Sequence, residues 1–342
     1  MAAAARRNER KPKSLSDVFN QFARDTIAHF PEAKGRLLIH DTNESTTYGR
    51  ERLARQSRRS QASVDAFLKK RTQDKNRQTY AETDNRLRLL FIMYDEPVNE
   101  NEIGALPKKA EKDILFVLDH ELAHLVVKDP PLAGENEQYK SSIREAVADA
   151  YALIRHYQRY GTKSAHKSAI VDPWARAGAL TLNGDTVHFS TLMLEEILKR
   201  RDVIDFASLD PQQTAELARR FAVAYTPPAS VVNSIFKKLK PVQMIYDDEP
   251  DANKWLKALA RIALDPKNDP YTFRICKKIL DGYLDGRTDM DGRSFSTQGV
   301  YWDDVRARLK EAEERHTRED ILFNIPLTSS RSRTKRPRPP QP

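Results

Sequence analysis

One stretch of the chain predicts both a helix and a reactive site: DILFVLDHELAHLVV, at residues 113–127. Its apolar residues recur at helical spacing and an Asp-Pro-Pro sequence follows, so we expect a helix from about residue 108 to residue 128. His120 and His124 are four residues apart, and on a helix their imidazoles project from the same face and can converge on one ion. Glu121, beside the first histidine, can then take a proton from a water that the ion holds.

A second pair of polar residues follows on the next predicted helix, residues 138–160. A catalytic zinc takes three protein ligands and keeps one open position, so a third ligand is needed beside the two histidines. Glu145 could supply it if the two helices pack antiparallel. Asp149, one turn further along, could accept a hydrogen bond from the distal nitrogen of His120 or His124 and so fix its tautomer.

Three further side chains are candidates for the groups around a bound substrate. The transition state of amide hydrolysis carries an oxyanion, and His188, Tyr151 or Tyr157 could donate a hydrogen bond to it. We favour His188 as the catalytic donor, because a histidine in a loop that leads into a helix can face a cleft. His156, eleven residues after Glu145, is expected on the same helix face, either as a residue that supports a metal ligand or as a competing ligand.

HELAH, followed after a 20-residue gap by EAVAD at residues 145–149, resembles the gluzincin class of zinc metallopeptidases. The resemblance covers residues 120–149 and the preceding apolar segment, 86–94. In such enzymes that segment is an edge strand that pairs with the extended backbone of the substrate. The metzincin subclass is disfavoured, because no x-x-G-x-x-H sequence continues the motif.

The resemblance implies a role for each matching residue. His120, His124 and Glu145 would be the zinc ligands, Glu121 the general base, and Asp149 the residue that orients a ligand histidine. We therefore expect a metallopeptidase that hydrolyses peptide bonds with a zinc-activated water. The alternatives are a zinc hydrolase that acts on a non-peptide amide, and a non-catalytic zinc-containing binding protein that acts through its basic ends.

The predicted fold class is α+β and mainly α-helical, with a zincin-like metallopeptidase core, a small N-terminal sheet and a helical C-terminal half. The apolar run RLRLLFIMY, residues 86–94, is the strongest strand candidate. The predicted regions are a disordered basic N-terminus (1–13), a basic and mostly helical region (14–85), the zincin-like catalytic core (86–205), a helical C-terminal region (206–328) and a disordered basic tail (329–342).

The net charge of +9 is concentrated at the two ends of the chain. Residues 1–77 hold 18 Lys and Arg against 9 Asp and Glu, and residues 329–342 hold 5 basic and no acidic residues. The centre, residues 78–328, holds 35 basic and 40 acidic residues. Basic ends of this kind suit an anionic partner or a simply solvated surface, whereas the site itself would take a protein or peptide substrate.

Composition excludes several other classes. The sequence has no apolar stretch long enough to span a membrane, and its first residues lack the apolar region of a secretory signal peptide. A single cysteine, Cys276, excludes an internal disulfide framework and a cysteine-rich zinc site. We expect a cytoplasmic protein, or one exported without a classical signal peptide.

Overall fold

The computed structural model is mainly helical, as predicted. It describes residues 15–41, 54–55, 62, 81–84, 89–94, 108–132, 135–164, 168, 171–182, 184–248, 252–287 and 296–320. The predictions for residues 1–13 and 329–342 lie outside these residues, as do most of residues 42–80. Backbone contacts divide the chain into two units, 1–297 and 298–342, while the region boundaries predicted from the sequence stay predictions.

The described part of the chain contains ten α-helices. They are α1 (Leu15–His29), α2 (Lys108–Val126), α3 (Glu137–Tyr160), α4 (Pro173–Leu182), α5 (Thr191–Arg200), α6 (Pro211–Tyr225), α7 (Ala229–Asp248), α8 (Ala252–Ala263), α9 (Pro270–Leu284) and α10 (Val300–Asp320). The last of these belongs to the second unit. None of the described helices meets the length and hydropathy that a membrane crossing requires.

Three strands form one sheet in the order β1-β3-β2, where β1 is Leu37–Asp41, β2 is Ala81–Asp84 and β3 is Leu89–Tyr94. β1 pairs in parallel with β3, and β2 pairs with it antiparallel. The strand predicted at 86–94 is therefore central among the described strands, and its interpretation as an edge strand is wrong. Its uninterrupted apolar run suits an interior position, where both faces can be covered.

The two helices that carry the predicted site, α2 and α3, pack against each other more extensively than any other pair of described elements. The sequence predicts their bounds to within two residues at each end. Asn136 caps α3 by accepting a hydrogen bond from the Tyr139 backbone, and Gly161 ends it with a positive φ of 77°. Fully buried alanines of α3, among them Ala148 and Ala152, leave room for this close packing.

One helix extends further than the sequence predicts. The sequence predicts a helix only over residues 229–240, before Pro241, because a proline normally ends a helix; α7 runs through this proline to Asp248. Leu239 and Val242, on either side of the proline, are both buried. Their burial continues the apolar face of α7 past Pro241. The free energy gained by this burial outweighs the loss of the hydrogen bond that the proline cannot donate.

Candidate metal centre

Four side chains from three parts of the chain meet at one oxygen atom, Oε2 of Glu145. His120 and His124 extend from α2, Glu145 from α3, and His188 from the loop that leads into α5. The Nε2 atoms of His120, His124 and His188 lie 3.1 Å, 3.4 Å and 3.2 Å from this oxygen. The sequence predicts that these four residues belong to one site, and the structure brings them together.

The spacing of these atoms suits a metal ion. Ligands at the usual zinc distances of about 2.0–2.1 Å in a tetrahedral site lie about 3.3 Å from one another. The Oε2 atom of Glu145 is buried, and none of the three imidazole contacts gives it a hydrogen bond of normal geometry. Among the described residues, the group whose ligand atoms all lie within 4.8 Å of one another is His120, Glu145 and His188, and it does not include the predicted ligand His124. A buried carboxylate oxygen with three imidazole nitrogens at these distances fits a cation among these atoms.

Asp149 hydrogen-bonds to His120 through the ring nitrogen that faces away from Glu145. Its carboxylate is fully buried, and Oδ1 lies 2.9 Å from Nδ1 of His120. Because Nδ1 donates to this carboxylate, Nε2 is the nitrogen that faces Glu145 and that becomes available to a metal once the imidazole loses its second proton. The same carboxylate accepts hydrogen bonds from Arg176 on α4 and from Ser190. The contact expected between Asp149 and a histidine of the HELAH motif is therefore present.

His188 is oriented by its own turn. The Oδ1 atom of Asp185 accepts hydrogen bonds from the backbone N–H groups of Val187 and His188, which closes a tight turn. The other oxygen, Oδ2, lies 2.7 Å from Nδ1 of the His188 ring. This arrangement points Nε2 of His188 toward Glu145, just as Asp149 does for His120.

When no metal is bound, the carboxylates and imidazoles of the cluster shift one another's pKa values toward their charged forms. Burial by itself lowers the pKa of His120, but the contacts with Asp149 and Glu145 outweigh it and raise the pKa to about 10. Burial likewise opposes protonation of His188, yet Asp185 and Glu145 raise its pKa to about 9. Burial would raise the pKa of Glu145, but its contacts with the three histidines hold it well below the usual range. Metal binding must therefore displace protons from the histidines.

The cluster has one side that is more open than the others. The side chains of His120 and His124 are 8% and 7% exposed, and that of Glu145 is 17% exposed. The His188 side chain is 32% exposed, so it lies on the side from which a substrate could approach. Glu121 lies next to His120 on α2 and is partly buried, and its role as general base stays a prediction.

The other predicted residues have different surroundings. His156 is buried, stacks on Phe116 with ring centroids 4.4 Å apart, and lies 2.9 Å from the Ser164 hydroxyl. None of the cluster residues is among these partners, and a role for His156 in supporting a metal ligand stays a prediction. The two tyrosines weighed against His188 are both buried. Tyr151 lines a cavity of about 250 Å³, and Tyr157 packs on Phe206, while a donor role for either tyrosine stays a prediction.

Sequence reasoning missed three residues that hold the site together: Arg176, Asp185 and Ser190. The D-x-x-H spacing of Asp185 and His188 is a local signal that could have identified the turn. Ser190 was visible only as the start of a predicted helix, and Arg176 carried no signal, because its contact with Asp149 depends on how distant helices pack.

We compared the chain with protein-family models, with curated proteins and with solved structures, and none of the three comparisons found a match.

Proposed function

We propose that this protein is a zinc-dependent metallopeptidase with a gluzincin-like centre in a zincin-like core. The observation that carries the proposal is the convergence of three imidazole Nε2 atoms on the buried Glu145 Oε2 atom, at 3.1–3.4 Å. In this proposal His120, His124 and Glu145 hold the zinc. Bound zinc would supply a Lewis acid that lowers the pKa of a water toward neutrality.

The remaining residues have distinct tasks in this proposal. The Glu121 carboxylate takes a proton from the attacking water and passes it to the nitrogen of the leaving amine. Nε2 of His188 donates a hydrogen bond to the oxygen of the scissile carbonyl as negative charge develops there. Asp185 keeps the second proton of this imidazole on Nδ1, and its contact with His188 supports the role.

The substrate would be an extended peptide that pairs with the edge of the sheet. Among the described strands β3 is central, and the edge strand that packs against the HELAH helix is β2, Ala81–Asp84. We therefore assign substrate pairing to β2. The same proposal includes an anionic partner for the basic ends. It also includes a location in the cytoplasm, or outside it after export without a classical signal peptide.

A non-catalytic zinc protein is the second candidate, and one observation favours it. Nε2 of His188 is as close to Glu145 Oε2 as the other two histidine nitrogens are, at 3.2 Å. Four protein ligands would close the coordination sphere, as they do in structural zinc sites. The greater exposure of His188 argues for the catalytic alternative. A hydrolase that acts on a non-peptide amide would use the same residues.

Zinc content and peptide cleavage together test the proposal. We expect one zinc per chain by mass spectrometry in the wild-type protein and much less in Glu145→Ala. Glu137→Ala is the matched control, because Glu137 lies on the same helix with its side chain 78% exposed. In a peptide-library assay, Glu121→Gln should keep its zinc and lose cleavage. Absence of zinc from the reconstituted wild type would refute the site, and near-native turnover by Glu121→Gln would refute the mechanism.

A further inference from the structure

The Ser190 hydroxyl hydrogen-bonds to Asp149 and does not cap its own helix. It occupies the N-cap position of α5, where serine commonly accepts a hydrogen bond from the first turn, but it makes no such capping bond. Its Oγ instead donates to Oδ2 of Asp149 over 2.5 Å, and both residues are completely buried. Ser190 thus bonds to a buried carboxylate and leaves its helix uncapped. This choice of partner indicates that the orientation of the Asp149 carboxylate matters.

The two oxygens of Asp149 have different partners. Oδ1 receives both His120 Nδ1, at 2.9 Å, and Arg176, at 2.5 Å. The Ser190 hydroxyl donates to Oδ2. Among the hydrogen bonds described for this oxygen, this is the bond that opposes rotation of the carboxylate. Rotation about the Cβ–Cγ bond would carry Oδ1 away from His120. The serine therefore keeps Oδ1 aimed at Nδ1.

We propose that Ser190 is a positioning residue of the metal centre, which acts through Asp149 to fix the orientation of the ligand His120. This inference rests on the proposed zinc site. It assigns Ser190 no contact with substrate or metal. Loss of the hydroxyl should loosen the Asp149–His120 contact and weaken metal binding, in the range of about 10–100-fold that is typical when such supporting partners are removed.

The test measures zinc affinity by competition with a chelator, and the absorption spectrum after replacement of zinc by cobalt(II). We expect Ser190→Ala to bind zinc about 10-fold more weakly and to change the cobalt bands, because the geometry of His120 changes. Ser190→Thr keeps the hydroxyl and should restore both properties. If Ser190→Ala does not fold by circular dichroism, Ser190→Cys, with its weak thiol donor, should shift affinity in the same direction.

The matched control is Ser142→Ala. Ser142 is also completely buried, and its hydroxyl donates to the Thr186 backbone carbonyl over 2.9 Å. It therefore holds the same loop as Ser190 but does not contact Asp149 in the hydrogen bonds described for it. We expect Ser142→Ala to leave zinc affinity and the cobalt spectrum near those of the wild type. An equal loss in both variants would show that loop anchoring alone matters and would overturn the inference.

A double-mutant cycle separates the proposed route from a general effect on packing. In an Asp149→Ala background, Ser190→Ala should cause no further loss of affinity, because the residue that it acts through is gone. Independent, multiplying losses would refute the inference. So would wild-type affinity in folded Ser190→Ala. Failure of the wild-type protein to bind zinc would instead refute the proposed function, and the two failures are therefore distinguishable.

Discussion

The Nδ1 atom of His188 lies 2.7 Å from Oδ2 of Asp185, and this contact determines that Nε2 is the ring nitrogen that faces Glu145. A short turn thus presents a histidine to the cluster with its tautomer and orientation set. His120 is oriented in the same way, because its Nδ1 atom hydrogen-bonds to the Asp149 carboxylate. The centre therefore has two histidines oriented from behind, one by a helix residue and one by a turn residue.

His188→Ala distinguishes a catalytic histidine from a fourth ligand. We expect the variant to retain about one zinc per chain, while peptide hydrolysis falls by about 10²–10³-fold, the usual cost of losing a donor to the oxyanion. Metal analysis and turnover on one preparation measure both. Asp185→Asn should retain zinc and reduce turnover less. Loss of zinc from His188→Ala, together with an inactive wild type, would support the closed, non-catalytic site.

Asp149→Ala should weaken zinc binding by about 10–100-fold, because His120 loses the partner that fixes its tautomer and orientation. Chelator competition measures this change. Asp129→Ala is the control, since Asp129 is exposed and pairs only at the surface with Arg144, at 3.1 Å. Equal zinc affinity in wild type and Asp149→Ala would remove Asp149 from the site.

Zinc binding should release protons at pH 7.5. The pKa of His120 is raised to about 10 and that of His188 to about 9, so the metal-free protein holds both protons at this pH. Metal ligation requires neutral imidazole, and binding must therefore release protons, to an extent that depends on whether His188 also ligates. Calorimetric titrations in buffers of different ionisation enthalpy count these protons. A binding enthalpy that does not vary with the buffer would contradict the prediction.

The same pKa shifts predict how metal-free stability varies with pH. Both histidines have pKa values above the unfolded value of about 6.5, so their contribution to stability is complete below that pH. It is then lost as pH rises through about 9 and about 10, the pKa values of His188 and His120 in the folded state. We expect the Tm of the chelator-treated protein to fall across this interval. His188→Ala, which removes the lower of the two transitions, should show a smaller fall.

Gly282→Ala should destabilise the fold away from the metal centre. A Cβ atom at Gly282 on α9 would lie 1.7 Å from Nε1 of Trp174, which donates to the Ile279 carbonyl. We expect a loss of about 1–3 kcal/mol in the free energy of unfolding, as in other overpacked cores. Gly178→Ala on α4 is the control, because its Cβ meets nothing within 4 Å, and it should be neutral or stabilising by about 0.5–1 kcal/mol. Urea denaturation at a fixed zinc concentration compares the two variants.

The sequence predicted what regular spacing determines. The four-residue spacing of His120 and His124 places both imidazoles on one face of α2, and that of Glu145 and Asp149 does the same on α3. The position of His188 beside Glu145 depends on the path of a loop, and spacing contains no such information. The contact of Arg176 with Asp149 depends in turn on where the tertiary fold places α4 relative to α3. The central place of β3 has the same origin, because strand order is set by pairing over long sequence distances.

The residues that surround Glu145 Oε2 extend from position 120 to position 188 and belong to a helix, a second helix and a loop. An ion at this point would act as a cross-link between segments that are far apart in the sequence, and its binding free energy would add to that of folding. At a free zinc concentration of 100 times the dissociation constant, that addition is about 2.7 kcal/mol. A substitution that weakens zinc binding will then lower the Tm even where it disturbs no packing. Thermal stabilities of variants in this region become comparable only when they are measured at equal occupancy by metal.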